Sequence, residues 1–141
     1  MEGSYITRSV AETEDVGRRM FDQLSFPSFV ALYGDLGAGK TAFVRGMVSC
    51  FDADAVVTSP TYNIVNSYSS DKGTLYHFDM YRVVDDDDLY SVGYYDYVDN
   101  GIIVAEWCEN IPYALPESYY KVTITKCEDE SYRKIEVEYI G

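Results

Sequence analysis

The residues best suited to chemistry form a glycine-rich segment, GDLGAGKT, at positions 34–41. It matches the phosphate-loop pattern GxxxxGK[ST] at every fixed position, and it stands between a buried-strand pattern and a helical one, as that motif requires. Glycines let consecutive backbone amides point inward around phosphate oxygens, and the N-terminus of the following helix attracts negative charge. The segment therefore predicts a site for a phosphate-bearing ligand.

Within this loop, Lys40 is placed to reach the β- and γ-phosphates of a nucleotide, and the Thr41 hydroxyl is placed to bind Mg²⁺. A glycine-rich turn that only closes a strand–helix unit is the structural alternative. The residues expected to bind the nucleotide are Gly34, Asp35, Leu36, Gly37, Ala38, Gly39, Lys40 and Thr41.

Two carboxylates follow apolar, strand-like runs further along the chain. Asp79 ends LYHFD, and Glu106 ends IIVAE. The carboxyl ends of sheet strands gather around the ligand in α/β proteins, and a phosphate-loop enzyme needs a carboxylate there to hold the Mg²⁺ shell or orient the attacking water. We therefore predict Lys40, Asp79 and Glu106 as the catalytic residues, although an acidic residue after a strand can also be a helix cap or part of a solvated loop.

The residues close to these carboxylates in the sequence do not each point to a single role. Arg82 could steady Asp79 or meet phosphate, and Trp107 could belong to the core or to a partner-facing surface. His77 alternates with Phe78, so the pattern favours a packed strand residue.

The elements that position these residues follow from hydrophobic periodicity. Ser9, three residues before Glu12, has the S-x-x-E spacing of a helix start, and an apolar stripe follows it as far as Leu24. The uninterrupted apolar run at 29–33 predicts a strand covered on both faces, and the spacing over 40–51 predicts a helix packed on it.

The next elements are a predicted hairpin, a short helix and a strand. Residues 62–68 and 74–79 are rich in Tyr, Ile, Val and Phe and are separated by the turn-forming SSDKG. The acidic run at 85–88 suits a helix N-terminus better than a metal site. IIVA at 102–105 predicts a second buried strand.

The C-terminal part alternates apolar and polar residues, which predicts an antiparallel pair of strands at the sheet margin. We therefore predict one α/β domain over residues 1–141, a three-layer α/β/α arrangement of the P-loop NTPase type with a mixed sheet. The alternating apolar positions are Val122, Ile124, Ile135, Val137 and Tyr139.

Composition limits the possible partners. The 141 residues include 24 Asp and Glu against 11 Lys and Arg, a formal net charge of −13, and 47% are hydrophobic, as in a folded domain. This charge opposes direct binding to nucleic acid, so we expect no DNA binding and at most an indirect role with RNA. The sequence shows neither a bilayer-spanning run nor a signal-peptide pattern, which predicts a cytoplasmic protein with no membrane partner.

Two further function classes can be weighed from the residues. The three cysteines, Cys50, Cys108 and Cys127, lack a CxxC pair, which favours reduced structural thiols over a zinc site or disulfides. The chain lacks a guanine-reading NKxD segment and has few arginines after residue 41 for a kinase lid. Hydrolysis, or assembly controlled by a nucleotide, is the better interpretation.

Four segments together resemble the TsaE (YjeE) family of bacterial proteins. They are GDLGAGKTAFVRG at 34–46, TSPTYNIVNSY at 58–68, YHFDMYR at 76–82 and IIVAEW at 102–107, and their combination is far more specific than the phosphate loop alone. The resemblance implies a Mg²⁺-dependent ATPase, weak alone and stimulated by partners, that is required for threonylcarbamoyladenosine modification of tRNA. It implies action with the TsaB and TsaD proteins, so that tRNA is met indirectly.

The resemblance also implies residue roles. Lys40 and Thr41 match the phosphate and Mg²⁺ positions, Glu106 a second Mg²⁺ position, and Asp79 a carboxylate needed for activity. Ser59, Pro60 and Thr61 match a loop that responds to the nucleotide like a switch, and Arg133 matches a late basic residue near the nucleotide. The departures from the family pattern are Ala42, Cys108 and the four-Asp run.

Two other functions remain open at this point. One is a nucleotide-dependent binding module in which ATP shapes a docking surface without significant turnover. The other is a small-molecule kinase. Stimulation of phosphate release by TsaB and TsaD distinguishes the ATPase from both.

Overall fold

The described part of the computed structural model, residues 1–35 and 37–141, contains seven strands and four α-helices. The strands are β1 (Gly3–Thr7), β2 (Ser28–Tyr33), β3 (Val65–Ser70), β4 (Gly73–Asp79), β5 (Ile102–Glu106), β6 (Tyr119–Lys126) and β7 (Arg133–Ile140). The helices are α1 (Val10–Gln23), α2 (Lys40–Ser49), α3 (Asp86–Ser91) and α4 (Tyr94–Tyr97), with short 3₁₀ turns at Cys108–Asn110 and Pro112–Ala114. Within this part of the chain, no helix is long and apolar enough to cross a membrane.

The seven strands form one mixed sheet in the order β1-β7-β6-β2-β5-β4-β3. At its centre β2 pairs in parallel with both β5 and β6, and β4 pairs in parallel with β5. The remaining pairs are antiparallel. The parallel pairing brings the carboxyl ends of β2, β4 and β5 to one edge of the sheet, which is where ligands bind in α/β folds.

The sheet is covered on both faces, as the apolar run in β2 predicts. Val30 and Leu32 face a core formed with α1 and α2, whereas Phe29 and Ala31 face a second core that includes Leu89 of α3. Alternating side chains of one strand thus enter two separate cores. The predicted three-layer arrangement with a mixed sheet is confirmed.

Two of the predicted helix starts are confirmed by side-chain hydrogen bonds at their caps. The Ser9 hydroxyl accepts from the Glu12 amide at 3.2 Å, and the Glu12 carboxylate accepts from the Arg8 amide at 2.8 Å. Asp85 caps α3 by accepting from the Asp88 amide at 3.1 Å. The acidic run therefore includes a helix cap, as its position before an apolar segment indicates.

Two predictions about strands need correction. The C-terminal antiparallel pair does not lie at the sheet margin, because β1, a strand that the sequence pattern did not reveal, pairs with β7 outside it and β6 adjoins the central β2. Also, β3 begins at Val65 rather than at residue 62. The residues before it turn, with the Ile64 amide donating to the Pro60 carbonyl at 2.7 Å and Ile64 in a left-handed conformation.

Helix α2 also ends two residues before the predicted boundary, and it crosses α1 at very short range. A Cβ atom on Gly46 would lie 1.9 Å from the Glu14 carbonyl oxygen of α1, and one on Gly17 would lie 2.1 Å from the Phe43 carbonyl oxygen of α2. Both obstacles are backbone atoms, so a side-chain shift cannot relieve them. One glycine on each helix therefore permits the close packing of α2, which begins with Lys40, against α1.

We expect Gly46→Ala to destabilise the protein by about 1–3 kcal/mol, the usual cost of overpacking a core. Helix propensity alone would change stability in the other direction, by about 1 kcal/mol in favour of alanine. Urea unfolding of the parent and the variant measures the difference. A variant more stable than the parent would contradict the close crossing of α1 and α2.

Candidate functional site

The loop between β2 and α2 turns through glycines whose backbone conformations other residues rarely adopt. Gly37 has φ of 78° and Gly39 has φ of 114°. Gly39 occupies the N-cap position of α2 and brings no side chain to the exposed amides of the first helical turn. Such amides can bind an anion. Leu36, one of the residues predicted to bind the nucleotide, lies outside the described residues.

Lys40 lies at the start of α2 with its ammonium group directed across the loop. Nζ donates to the Gly34 carbonyl oxygen at 2.6 Å and lies 3.7 Å from Glu106 Oε1. It also stands 5.1 Å from the centre of the Trp107 ring. A charge that is only 8% exposed requires such partners, because desolvation penalises an unpaired ion.

Glu106 ends β5 and is itself almost fully buried. Its Oε1 faces Lys40, and its Oε2 lies 2.5 Å from His77 Nε2. His77 is a buried strand residue, as its pattern indicates, but sequence reasoning missed this contact. The available signal was the alternation of β4, which places His77 on the same face as Asp79, next to the strand that ends at Glu106.

Asp79 ends β4 directly beside Glu106 in the parallel register. Its Oδ2 accepts from the Thr61 hydroxyl at 3.0 Å and from the Ser59 hydroxyl at 3.3 Å. Its Oδ1 accepts from the Tyr81 amide at 2.9 Å. The carboxylate thus ties the segment at 59–61 to the end of the sheet, while Pro60 between the two hydroxyl residues is buried.

The two arginines singled out by sequence occupy different places. Arg133 lies behind the loop, where its Nε donates to the Ala38 carbonyl at 2.8 Å and Nη2 to the Gly37 carbonyl at 3.4 Å. It therefore contacts the loop backbone from the side of β7. Of the two alternatives for Arg82, contact with Asp79 is not found, because its guanidinium lies over the Tyr62 ring, and contact with phosphate stays a prediction.

A cavity of about 640 Å³ opens where these elements meet, a size suited to a small-molecule ligand. It brings together many of the predicted site residues, but Gly34, Asp35, Ala38, Pro60 and Arg133 are not among its described lining. Thr41 and Glu106 contribute oxygen donors, which are the ligands that Mg²⁺ prefers. The lining consists of Gly37, Gly39, Lys40, Thr41, Ser59, Thr61, Asp79, Tyr81, Glu106 and Trp107.

Trp107 follows Glu106 and forms one wall of the cavity. Its backbone adopts φ of 59°, which is uncommon for a residue with a bulky side chain. The ring meets Tyr81 edge-on, with 5.0 Å between ring centres. The half-buried ring packs against the second core and also faces the cavity and Lys40, so the core alternative is confirmed in part, and the partner-facing surface stays a prediction.

The Cys108 thiol, next to Trp107 in the sequence, is unreactive. Burial raises the pKa of Cys108 far above its ordinary value, and the carboxylates of Glu109 and Glu106 raise it further. Burial likewise raises the pKa of Cys50 to about 11. Both thiols are therefore protonated at neutral pH, consistent with structural rather than reactive cysteines.

Comparison with known proteins gives a consistent set of similarities. A family model described as "Threonylcarbamoyl adenosine biosynthesis protein TsaE" matches residues 7–135. This chain is also similar to proteins of several bacteria that bear the name "tRNA threonylcarbamoyladenosine biosynthesis protein TsaE". The protein of Rickettsia conorii is 32% identical over 82% of this chain and 67% of its own length. The protein of Haemophilus influenzae is 41% identical over 71% of this chain and 64% of its own length. The protein of Treponema pallidum is 36% identical over 85% of this chain and 87% of its own length.

A solved structure extends the similarity to the whole described fold. The crystal structure of YdiB from Bacillus subtilis superposes with a TM-score of 0.82 at 26% sequence identity. The match covers 100% of this chain and 87% of that one.

Proposed function

The chain belongs to the TsaE family of threonylcarbamoyl adenosine biosynthesis proteins, and from this premise we propose that it is a Mg²⁺-dependent ATPase required for threonylcarbamoyladenosine modification of tRNA. The family is involved in tRNA threonylcarbamoyladenosine biosynthesis. One observation carries the proposal. A single cavity is lined by the loop glycines, Lys40, Thr41 and two adjacent strand-end carboxylates.

The proposed first task of this cavity is to bind the phosphates of ATP. The amides at the start of α2 and the loop around Gly37 and Gly39 offer donors to phosphate oxygens. Lys40 already has its ammonium group at the cavity wall, where exchanging the Gly34 carbonyl for a phosphate oxygen needs only a side-chain movement. The favourable contribution of Lys40 grows as negative charge develops on the transferred group.

Mg²⁺ is proposed to be held by the Thr41 hydroxyl and the Glu106 carboxylate, which line the same cavity. When bound, the cation would neutralise developing charge on the phosphate oxygens. Glu106 is suited to this position because it carries its charge into a nearly buried site, where His77 and Lys40 already hold it in place.

Asp79 is proposed to orient the attacking water or to couple the segment at 59–61 to the γ-phosphate. Its hydrogen bonds to Ser59 and Thr61 support the coupling, because a movement of either hydroxyl would be felt at the carboxylate. Ser59, Pro60 and Thr61 are thus proposed as a nucleotide-responsive segment. Arg133 is proposed to assist binding indirectly, by holding the carbonyls of Gly37 and Ala38.

TsaB and TsaD are the proposed partners, with tRNA met only through them, and the proposed location is the cytoplasm. The net charge of −13 supports docking on proteins in preference to direct contact with RNA phosphates. The kinase alternative gains no support from the arginines after residue 41, since among the described residues Arg45, Arg82 and Arg133 do not line the cavity.

Phosphate release from ATP, measured with and without TsaB and TsaD, tests the proposed function. We expect release that requires Mg²⁺, stops in excess chelator and rises with the partners. Lys40→Met should lower the rate by about a hundredfold or more, the scale on which a lost electrostatic contact acts in a preorganised site. Lys121→Met is the matched control, because Lys121 lies on β6 over the Tyr33 ring, away from the described cavity lining.

Parent-like hydrolysis by a folded Lys40→Met variant would contradict the proposal. Tight ATP binding without phosphate release, with or without the partners, would instead support the nucleotide-dependent binding module.

A matched pair of carboxylate-to-amide substitutions separates the proposed roles of Asp79 and Glu106. In Asp79→Asn the amide can still bond the hydroxyls of Ser59 and Thr61, so we expect ATP affinity within about tenfold of the parent, or roughly 1.4 kcal/mol. Turnover should fall by about a hundredfold or more, as for a lost base or water-orienting group. Glu106→Gln should weaken the Mg²⁺ dependence of binding as well as turnover.

Titrating each variant with ATP at several Mg²⁺ concentrations, followed by phosphate-release assays, makes the comparison. If Asp79→Asn loses the Mg²⁺ dependence of binding and Glu106→Gln keeps it, the two roles are reversed.

A further inference from the structure

His77 has an unusual position for a histidine. Its side chain is fully buried on β4, with 0% exposure, and its Nε2 lies 2.5 Å from Glu106 Oε2. The other ring nitrogen, Nδ1, is also buried and has no hydrogen-bond partner among the described residues. The imidazole is therefore satisfied on the Glu106 side and unsatisfied on the other.

This arrangement selects one tautomer. An ionised carboxylate only accepts hydrogen bonds, so Nε2 must carry the proton that it donates to Glu106. A proton on Nδ1 would be a buried donor without an acceptor, which costs more than an unpaired lone pair does. The ring is thus the Nε2–H tautomer, with its one donor directed at Glu106 Oε2.

Packing alone does not account for a histidine here. Its neighbours on the same face of the sheet include Leu75 on β4 and Val104, its register partner on β5, which both belong to the core that α1 and α2 cover. An apolar side chain would fill such a place without leaving a polar atom unpaired. The contact with Glu106 is the feature that distinguishes histidine from leucine at this position.

The contact also divides the two oxygens of Glu106 between two neighbours. His77 holds Oε2, while Oε1 faces Lys40 Nζ at 3.7 Å, longer than a direct hydrogen bond. Without His77, the carboxylate would be free to rotate and pair closely with Lys40. The histidine therefore keeps one carboxylate oxygen on the cavity side and limits the competition for the ammonium group.

We propose that His77 is a positioning residue that fixes the rotamer of Glu106 and so sets the affinity of the cavity for Mg²⁺. This inference rests on the proposed function, in which Glu106 and Thr41 hold the cation. A group that orients a metal ligand by hydrogen bonding typically changes metal affinity by about 10–100-fold when it is removed. His77 itself is not part of the described cavity lining.

Two substitutions test the proposal. His77→Leu removes the donor and keeps an apolar body, whereas His77→Gln keeps an amide N–H near the place of Nε2. The Mg²⁺ concentration for half-maximal binding of a fluorescent ADP analogue should rise by about tenfold or more in His77→Leu and stay within about threefold of the parent in His77→Gln. Analogue binding in excess EDTA, measured alongside, shows whether the loss is specific to the cation.

Tyr94→Phe is a matched control for the loss of a buried hydrogen bond. The Tyr94 hydroxyl donates to the Ala114 carbonyl at 2.7 Å in the core on the other face of the sheet. We expect this variant to lose thermal stability without a change in the Mg²⁺ requirement. A purely structural role of His77 would give His77→Leu the same behaviour, and that result would overturn the proposal.

The unaltered protein offers a second test that does not depend on whether the variants fold. Since the chain contains one histidine, selective ¹⁵N labelling reports only on the His77 ring. We expect the unequal nitrogen shifts of an Nε2–H tautomer and a change of the Nε2–H resonance when Mg²⁺ is added to the ADP-saturated protein. A resonance that Mg²⁺ leaves unmoved would overturn the proposal.

Nucleotide binding by the unaltered protein separates a failure of the proposed function from a failure of the role of His77. If the unaltered protein binds neither ATP nor ADP in the presence of Mg²⁺, the proposed function fails. If it binds them and the His77 measurements show no link to the cation, only the role of His77 fails.

Discussion

The need to pair a buried carboxylate organises the centre of this molecule. Glu106 is only 4% exposed, and an isolated ion at that depth would be strongly penalised by desolvation. Its charge is accommodated by a hydrogen bond from His77 and by the ammonium group of Lys40. Each of these three groups lies on a different element. The pairing therefore requires the correct register of β4 with β5 and the correct position of α2 beside them.

The packing of the helices serves the same requirement. Lys40 can face Glu106 only if α2 begins at the end of β2 and lies close to the sheet. Gly17 and Gly46 allow α1 and α2 to approach closely, since a Cβ atom at either position would clash with a backbone oxygen of the other helix. From the other side, Arg133 holds the carbonyls of the loop that precedes α2. Stability and site geometry therefore depend on the same contacts.

Features that depend on neighbouring residues could be predicted from the sequence. The apolar run of β2, the cap at Ser9, the cap at Asp85 and the phosphate-loop spacing all depend on residues within a few positions of one another, and the first three are confirmed. The adjacent ends of β4 and β5 could also be predicted, because parallel strands have their carboxyl ends at the same edge of the sheet. The roles of Lys40, Asp79 and Glu106 stay predictions.

The features that sequence reasoning missed depend on distant contacts. β1 contains few apolar residues and becomes a strand because β7 supplies its hydrogen bonds from the other end of the chain. The contact of Arg133 with Ala38 and that of His77 with Glu106 likewise join residues far apart in the sequence. Periodicity assigned His77 correctly to a packed strand, but it carries no information about which polar group lies beside the ring.

In the proposed function, the loop at 34–41 and the strand-end carboxylates converge on the phosphates of one nucleotide. A crystal structure with ADP, Mg²⁺ and beryllium fluoride as a γ-phosphate mimic would show whether they do. We expect Lys40 Nζ to leave the Gly34 carbonyl for phosphate-site oxygens, and the cation to contact Thr41 and Glu106. A nucleotide bound away from this loop, or a cation that touches neither residue, would contradict the account.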